Sequence, residues 1–327
     1  MAVVSWRPTN TPRDAAAWQA QLQKIKAKAR GQHSPVAVAE TLSRALETDA
    51  TQALAQERET FLQLKSSPQS AALRHIFFAE RAAGKLPQLK GAAPQPLSEI
   101  GIIGGGTMGA GIAAACLLTG LQVVLIERDD AALAAGQDRI ETILAGSLKR
   151  GLISETQREA MRTALTGASD YAALGQADLV IEAVFEDMAV KHDVFAKLDA
   201  ATKPEAILAS NTSYLDINEI AKATANPGRV LGLHFFSPAH IMKLLELIVT
   251  DHASPAALAT GLALGKRLRK ITVPAGVCDG FIGNRIMAAY RREADYMLED
   301  GALPWEIDAA MRAFGFPMGV FEMQDMA

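Results

Sequence analysis

The chain has 327 residues, 49% hydrophobic and 21% charged, a balance that allows two or three units and a large buried core. A net charge of −3 and a pI near 6.1 exclude the basic surface expected of a nucleic-acid binder or of a protein held on an anionic membrane. Its two cysteines, Cys116 and Cys278, lie far apart without metal-ligand spacing and are expected to be reduced, buried thiols.

Residues 1–13 lack the basic start and apolar run of a signal peptide and are expected to form a disordered leader. Residues 14–95 carry helical periodicity. Trp18, Leu22 and Ile25 share one face of a first helix, and Pro35 is expected at the first position of a second. ATQALAQERETFLQLK predicts a third helix and SAALRHIFFAERAAG a fourth, closed by Gly84. The segment KLPQLKGAAPQPLS, with three prolines and a glycine, marks a linker.

From residue 98 short apolar runs alternate with helical stretches. The runs are SEIGIIG, LQVVLIE, DLVIEAV, AILAS, RVLGLHFF and KLLELIV, with helices such as DMAVKHDVFAKLDAA between them. That alternation predicts an α/β fold with a doubly wound parallel sheet over 96–276. Another helix is expected within GFIGNRIMAAYRREADYMLEDG, ending at Gly301, and a shorter one near Pro304. Residues 101–126 carry no charge and are long enough to imitate a membrane span, but they hold seven glycines, with Ile and Val clustered at the two ends. A strand, a glycine turn, a buried helix and a second strand account for that distribution, so no membrane span is expected.

Within that stretch Gly104-Gly105-Gly106-Thr107-Met108-Gly109 fits G-x-G-x-x-G, a weak signal by itself. Context strengthens it. An apolar strand precedes it, a helix follows, and the next strand ends at Glu127, 18 residues after Gly109. Such a unit is a Rossmann-type dinucleotide site. Gly104 allows the turn, Gly106 the approach of a pyrophosphate, and Gly109 close packing of helix on strand. Glu127 would accept hydrogen bonds from the adenosine ribose and repel a 2′-phosphate, which favours NAD over NADP; Arg128 beside it tempers the preference. The alternative is a flexible glycine loop next to an unrelated acid.

The second informative stretch is LHFFSPAHIMKLLE, residues 233–246. Glu246 sits inside an apolar run, where a carboxylate is costly unless paired. His234, at the end of another apolar run, is the partner expected for it. A carboxylate fixes the tautomer of an imidazole, and a ring so held can take the proton of an alcohol as hydride leaves its carbon. His234 and His240 could instead ligate a metal, but no cysteine or acid stands at helpful spacing, and His240 is read as structural.

Five stretches in order, IGIIGGGTMGAGIA, IEAVFEDMAVK, ASNTS, HFFSPAHIMKLLE and GFIGNR, resemble the 3-hydroxyacyl-CoA dehydrogenase family, in particular the dehydrogenase part of multifunctional β-oxidation enzymes of the bacterial α-subunit and peroxisomal bifunctional types. The resemblance implies oxidation of a 3-hydroxyacyl-CoA to a 3-ketoacyl-CoA with NAD. It gives His234 the role of general base and Glu246 that of its paired acid. Ser213 and Asn284 would contact the substrate oxygens, and Glu186 and Lys191 would line the ribose and nicotinamide region. Lys149 and Arg150 fall roughly where CoA phosphates are held. Each has a plainer reading. Ser213, Asn211 and Asn284 could cap helices, Lys191 could be a solvated helix lysine, and Lys149, Arg150 and the run GKRLRK at 265–270 could be solvated helix ends.

Residues 36–95 resemble the segment that joins a hydratase module to the dehydrogenase in those enzymes. The hydratase core is absent, so no hydratase activity is expected. The helices at 14–83 should expose an apolar face where the missing module would dock. Residues 277–327 resemble the start of a helical substrate domain, with Val320 where the family usually has proline. The expected organisation is therefore linker helices at 1–95, an NAD domain at 96–276 and a partial all-α domain at 277–327, truncated at both ends. The partners implied are the acyl-CoA substrate, the hydratase module and a thiolase subunit. The location implied is cytoplasmic, or peroxisomal in a eukaryote. Two competing functions are a β-hydroxyacid dehydrogenase that uses a lysine as acid/base, and a non-catalytic piece that only binds NAD or a partner module.

Overall fold

The computed structural model describes residues 14–45, 47–86, 89 and 91–325; the leader expected at 1–13 lies outside them. The chain divides into two compact units, one from Ala82 to Ala302 and one made of the residues up to Arg81 together with those from Leu303 onward.

The Ala82–Ala302 unit is built on eight strands: β1 (Glu99–Ile103), β2 (Gln122–Ile126), β3 (Leu165–Ala168), β4 (Leu179–Glu182), β5 (Ile207–Ser210), β6 (Val230–Phe235), β7 (Leu244–Val249) and β8 (Ile271–Gly276). Their order in the sheet is β3-β2-β1-β4-β5-β6-β7-β8. The central strands are short runs of Ile, Val and Leu buried on both faces, the pattern of a sheet covered by helices on each side. The first six strands are parallel, as expected. The last two are not: β7 pairs antiparallel with β6, and β8 runs with β7. The connection 236–243 carries no helix and can only turn the chain back, whereas the helix α10 (Pro255–Arg267) carries a parallel crossover from β7 to β8. β3 and β8 are strands that the alternation of apolar runs does not reveal. Both are sheet edges, and Gly167 and Pro274 dilute their pattern.

Helix α5 (Thr107–Leu117) follows β1 and is buried on nearly every side, which explains its lack of charge. The helix α6 (Asp130–Lys149) follows β2, α7 (Glu155–Thr163) precedes β3, and α8 (Met188–Ala201) and α9 (Ile217–Ala221) follow β4 and β5. No helix among the described residues is long and apolar enough to cross a membrane. β1 and β4 are neighbours from which the strand order runs in opposite directions, so their carboxyl ends open a crevice. Helix α11 (Gly283–Glu299) completes the unit, with Gly301 at φ +100° just beyond its end.

The other unit holds α1 (Ala15–Lys28), α2 (His33–Ala45), α3 (Ala50–Ser66) and most of α4 (Pro68–Ala83), with α12 (Pro304–Phe314) and α13 (Val320–Asp325). Helix α2 begins at His33, two residues before the start expected at Pro35. Trp18 donates its indole N–H to Ser43 Oγ at 2.7 Å, which ties α1 to α2. Leu54, Phe61 and Phe78 are 60–65% exposed, so these helices do present uncovered apolar side chains. The two cysteines are free; Cys116 is buried as expected, but Cys278 is exposed, on the loop before α11.

Candidate active site

The turn after β1 is shaped by backbone contact. Gly104 has φ +93°, and a Cβ there would lie 2.9 Å from the Ala183 carbonyl oxygen. A Cβ on Gly109 would lie 1.8 Å from the carbonyl oxygen of Gly104, so nothing larger than glycine lets α5 sit on the turn. Gly106 is different: nothing stands within 4 Å of where its Cβ would be. It occupies the N-cap of α5 without a side-chain cap, so no capping side chain takes up the first amides of the helix, including those of Thr107 and Met108. A cleft of about 740 Å³ runs past Gly104, Gly106, Glu127 and Phe185.

Glu127 directly follows β2 beside this cleft, and its Oε1 accepts the Gly105 N–H at 2.6 Å. Two residues of α6 finish the turn and carry no motif. Gly136 lies so close that a Cβ on Gly105 would meet its Cα at 2.8 Å. Arg139 Nη1 donates to the Gly105 carbonyl at 3.1 Å. Their three-residue spacing puts both on one helix face. The Gly105 peptide is therefore held at its N–H by Glu127 and at its C=O by Arg139.

A buried carboxylate–lysine network lies at the ends of β4 and β5. Lys191, on α8, is only 1% exposed, which removes the solvated reading. Its Nζ is 2.8 Å from Glu182 Oε1 and 3.3 Å from Glu186 Oε2. Glu186 Oε1 also accepts from the Thr212 hydroxyl and from the amides of Ser213 and Tyr214 at 2.8 and 3.2 Å. Burial would raise the carboxyl pKa of Glu186, but the Thr212 bond, the Lys191 charge and the two amides together hold it below the usual glutamate value. Ser213 and Asn211 cap nothing: Asp216 caps α9, and Asn211 Oδ1 accepts the Phe235 N–H at 2.9 Å. That bond ties the loop after β5 to the residue beside His234.

His234 and Glu246 face each other in register across β6 and β7. His234 Nδ1 is 2.7 Å from Glu246 Oε2, and both side chains are buried. The other oxygen of Glu246 accepts the amides of Ile282 and Gly283 at 3.1 and 2.8 Å. Those are the N-cap and first residue of α11, so the carboxylate lies at the positive end of a helix. The sequence suggests the acid–imidazole pair but not this anchorage. Asn284 is the second residue of α11, buried, and not its cap. His240 is half-buried with no partner on Nδ1; burial first, then the charges of Arg150 and Lys270, lower its pKa. No group of residues suited to a metal ion occurs among the described residues.

The run GKRLRK is not simply solvated. Arg267 donates to the carbonyls of Leu97 and Gly120, and Lys270 Nζ to those of Ala239 and Met242 at 2.5 and 2.7 Å. Ala239 in turn packs against Gly111 of α5, where a Cβ would meet its methyl at 3.2 Å. The loop after His234 is thereby fastened to the helix that begins at the glycine turn.

Two adjoining family models match this chain: the NAD-binding domain of 3-hydroxyacyl-CoA dehydrogenase over residues 99–278, and its C-terminal domain over 280–327. The chain belongs to the 3-hydroxyacyl-CoA dehydrogenase family. The peroxisomal bifunctional enzyme of Cavia porcellus is 40% identical over 98% of this chain and 45% of its own length. The Arabidopsis thaliana peroxisomal fatty acid beta-oxidation multifunctional protein MFP2 is 38% identical over 84% of this chain and 38% of its own. The chain thus spans less than half the length of these curated relatives. Among solved structures, M. tuberculosis FadB2 is 37% identical, covering 71% of this chain and 83% of its own, with a TM-score of 0.69. The cofactor of this 3-hydroxyacyl-CoA dehydrogenase domain is NAD, and the uncapped amides around Gly106, with open space above them, fit its pyrophosphate.

Proposed function

We propose that this chain oxidises the 3-hydroxyl of a 3-hydroxyacyl-CoA to a ketone with NAD. The observation that carries the reading is the 2.7 Å bond from His234 Nδ1 to a carboxylate that is itself held by two amides of α11. With Nδ1 committed to Glu246, Nε2 is the ring nitrogen left for the substrate. It takes the hydroxyl proton as the carbon–hydrogen bond breaks, and the resulting imidazolium is stabilised by the carboxylate beside it. Bound NAD would supply the hydride acceptor for C3. The amides after Gly106, with Thr107 and Met108, would hold the pyrophosphate, Gly104 and Gly109 would shape that cradle, and Glu127 would hold the adenosine ribose. Glu186 and Lys191 would border the ribose and nicotinamide. Ser213 and Asn284 would donate to the substrate oxygens, a contribution of about 2–4 kcal/mol for each well-aimed donor. The lysine-based alternative loses ground because Lys191 is already bound to two carboxylates.

The names of the relatives support a place in fatty-acid β-oxidation; the hydratase module and the thiolase subunit are the partners that the family resemblance implies. The same names support a peroxisomal location if the source is eukaryotic; otherwise the location we propose is cytoplasmic. The deciding experiment follows the near-ultraviolet absorbance of NADH with 3-hydroxybutyryl-CoA as substrate, alongside NAD binding by calorimetry. Turnover that disappears in His234→Gln with binding retained supports the reading. NAD binding with no turnover by the wild-type chain overturns it.

A further inference from the structure

Glu182 belongs to none of the roles above, yet it is a glutamate with no exposed surface at the carboxyl end of β4. Its Oε1 accepts from the Val184 amide and from Lys191 Nζ, both at 2.8 Å, and its Oε2 from the Ser210 hydroxyl at 2.6 Å. A fully buried ion pair is a poor way to gain stability, since desolvation of both charges offsets most of their attraction and apolar residues of the same volume often do better. The position of the pair suggests another use. Glu182 stands between two strands whose following loops carry the groups read above as facing cofactor and substrate. On one side it orients the Lys191 ammonium, whose next donor reaches Glu186. On the other it holds the last side chain of β5, directly before the loop 211–215.

We infer that Glu182 is a positioning residue: through Lys191 it fixes the Glu186 carboxylate, and through that carboxylate the amides of Ser213 and Tyr214. One buried anion thereby sets the cofactor side and the substrate side of the site together. The inference rests on the functional reading of Ser213, Glu186 and Lys191 given above.

The test is Glu182→Gln, which keeps the size of the side chain and removes the charge. In the protein without ligands, amide exchange followed by NMR should become about tenfold faster at Ser213 and Tyr214, while the amides of β1 and β2 keep their wild-type rates. In initial-rate kinetics with 3-hydroxybutyryl-CoA, kcat/KM should fall about tenfold, and Glu182→Gln combined with Glu186→Gln should cost no more than the larger single change, because both break one chain of contacts. Unchanged exchange at both amides overturns the inference. So does faster exchange with kcat/KM within about twofold of wild type, which would leave the network a structural brace. Additive losses in the double variant also overturn it. Should Glu182→Gln fail to fold, Glu182→Gln/Lys191→Met removes both charges at once, and there wild-type exchange at the two amides overturns the inference while fast exchange supports it. A wild-type chain without turnover would count against the functional reading, and the exchange rates would still judge whether Glu182 holds the loop.

Discussion

The carboxylate of Glu246 accepts the amide of Gly283 at 2.8 Å, so a strand of the sheet grips the first turn of α11 through one side chain. The same carboxylate holds His234 with its other oxygen. A single acid therefore orients the imidazole and fixes the helix that carries Asn284. Removing it should do two things at once. Glu246→Ala is expected to lose stability by about 1–3 kcal/mol, because two partly buried amides lose their acceptor, and to lose turnover as the ring loses its partner. Denaturant melts and initial rates check this together; full stability with lost turnover would show that the amides find other acceptors.

His234→Gln should leave the fold and NAD affinity intact while kcat falls by about 10²–10⁴, the range for loss of a positioned base. Calorimetric titration with NAD beside the rate assay separates the two. A parallel loss of NAD affinity would mean that the ring supports the cofactor site rather than the chemistry.

The glycines of the turn should respond differently to alanine. At Gly109 the new methyl would lie 1.8 Å from the Gly104 carbonyl, so the variant should be destabilised by about 1–3 kcal/mol or more and should bind NAD poorly. At Gly106 it meets nothing within 4 Å, so folding should be unaffected and only NAD affinity should drop. Melting temperature and NAD titration on the two variants distinguish a packing glycine from a cofactor-facing one.

Glu127→Ala should weaken NAD binding about 10- to 100-fold, the loss expected for hydrogen bonds to a charged group, and should narrow the preference over NADP. The same side chain accepts the Gly105 amide, so part of the loss should come from a looser turn. Comparing NAD with NADP affinities isolates the contribution that depends on the 2′ position.

Glu186 gives a pH dependence. Its folded pKa is depressed below the unfolded value by the Thr212 hydroxyl, Lys191 and two amides, against the opposing effect of burial. A depressed carboxyl contributes stability that is present above its unfolded pKa and is lost as the pH falls through the folded one. Below about pH 4 the wild-type chain should therefore lose stability more steeply than Glu186→Gln. Thermal melts of both proteins across the acid range check the difference, and parallel curves would refute it.

Local patterns carried much of this site. The glycine turn needs φ > 0 at Gly104 and contact at Gly109, and such needs leave a short, readable spacing. His234 and Glu246 were legible because an acid in an apolar run demands a partner. What escaped depends on residues that meet only after folding. Gly136 and Arg139 reach the turn from α6, Glu182 meets Lys191 across a strand end, and the amides of α11 close on Glu246 from 36 and 37 residues away. Backbone donors have no sequence signature at all. The reversal of β7 was hidden too, because an apolar run gives no direction to its strand.

That reversal has a further consequence. Because residues 234 and 246 sit opposite one another on an antiparallel ladder, main-chain pairing sets their separation before any ligand arrives. Sheet formation and assembly of the imidazole–carboxylate pair are then one event. Folding alone therefore brings the imidazole and the carboxylate together, and whatever frays the pairing of β6 with β7 separates them at the same moment.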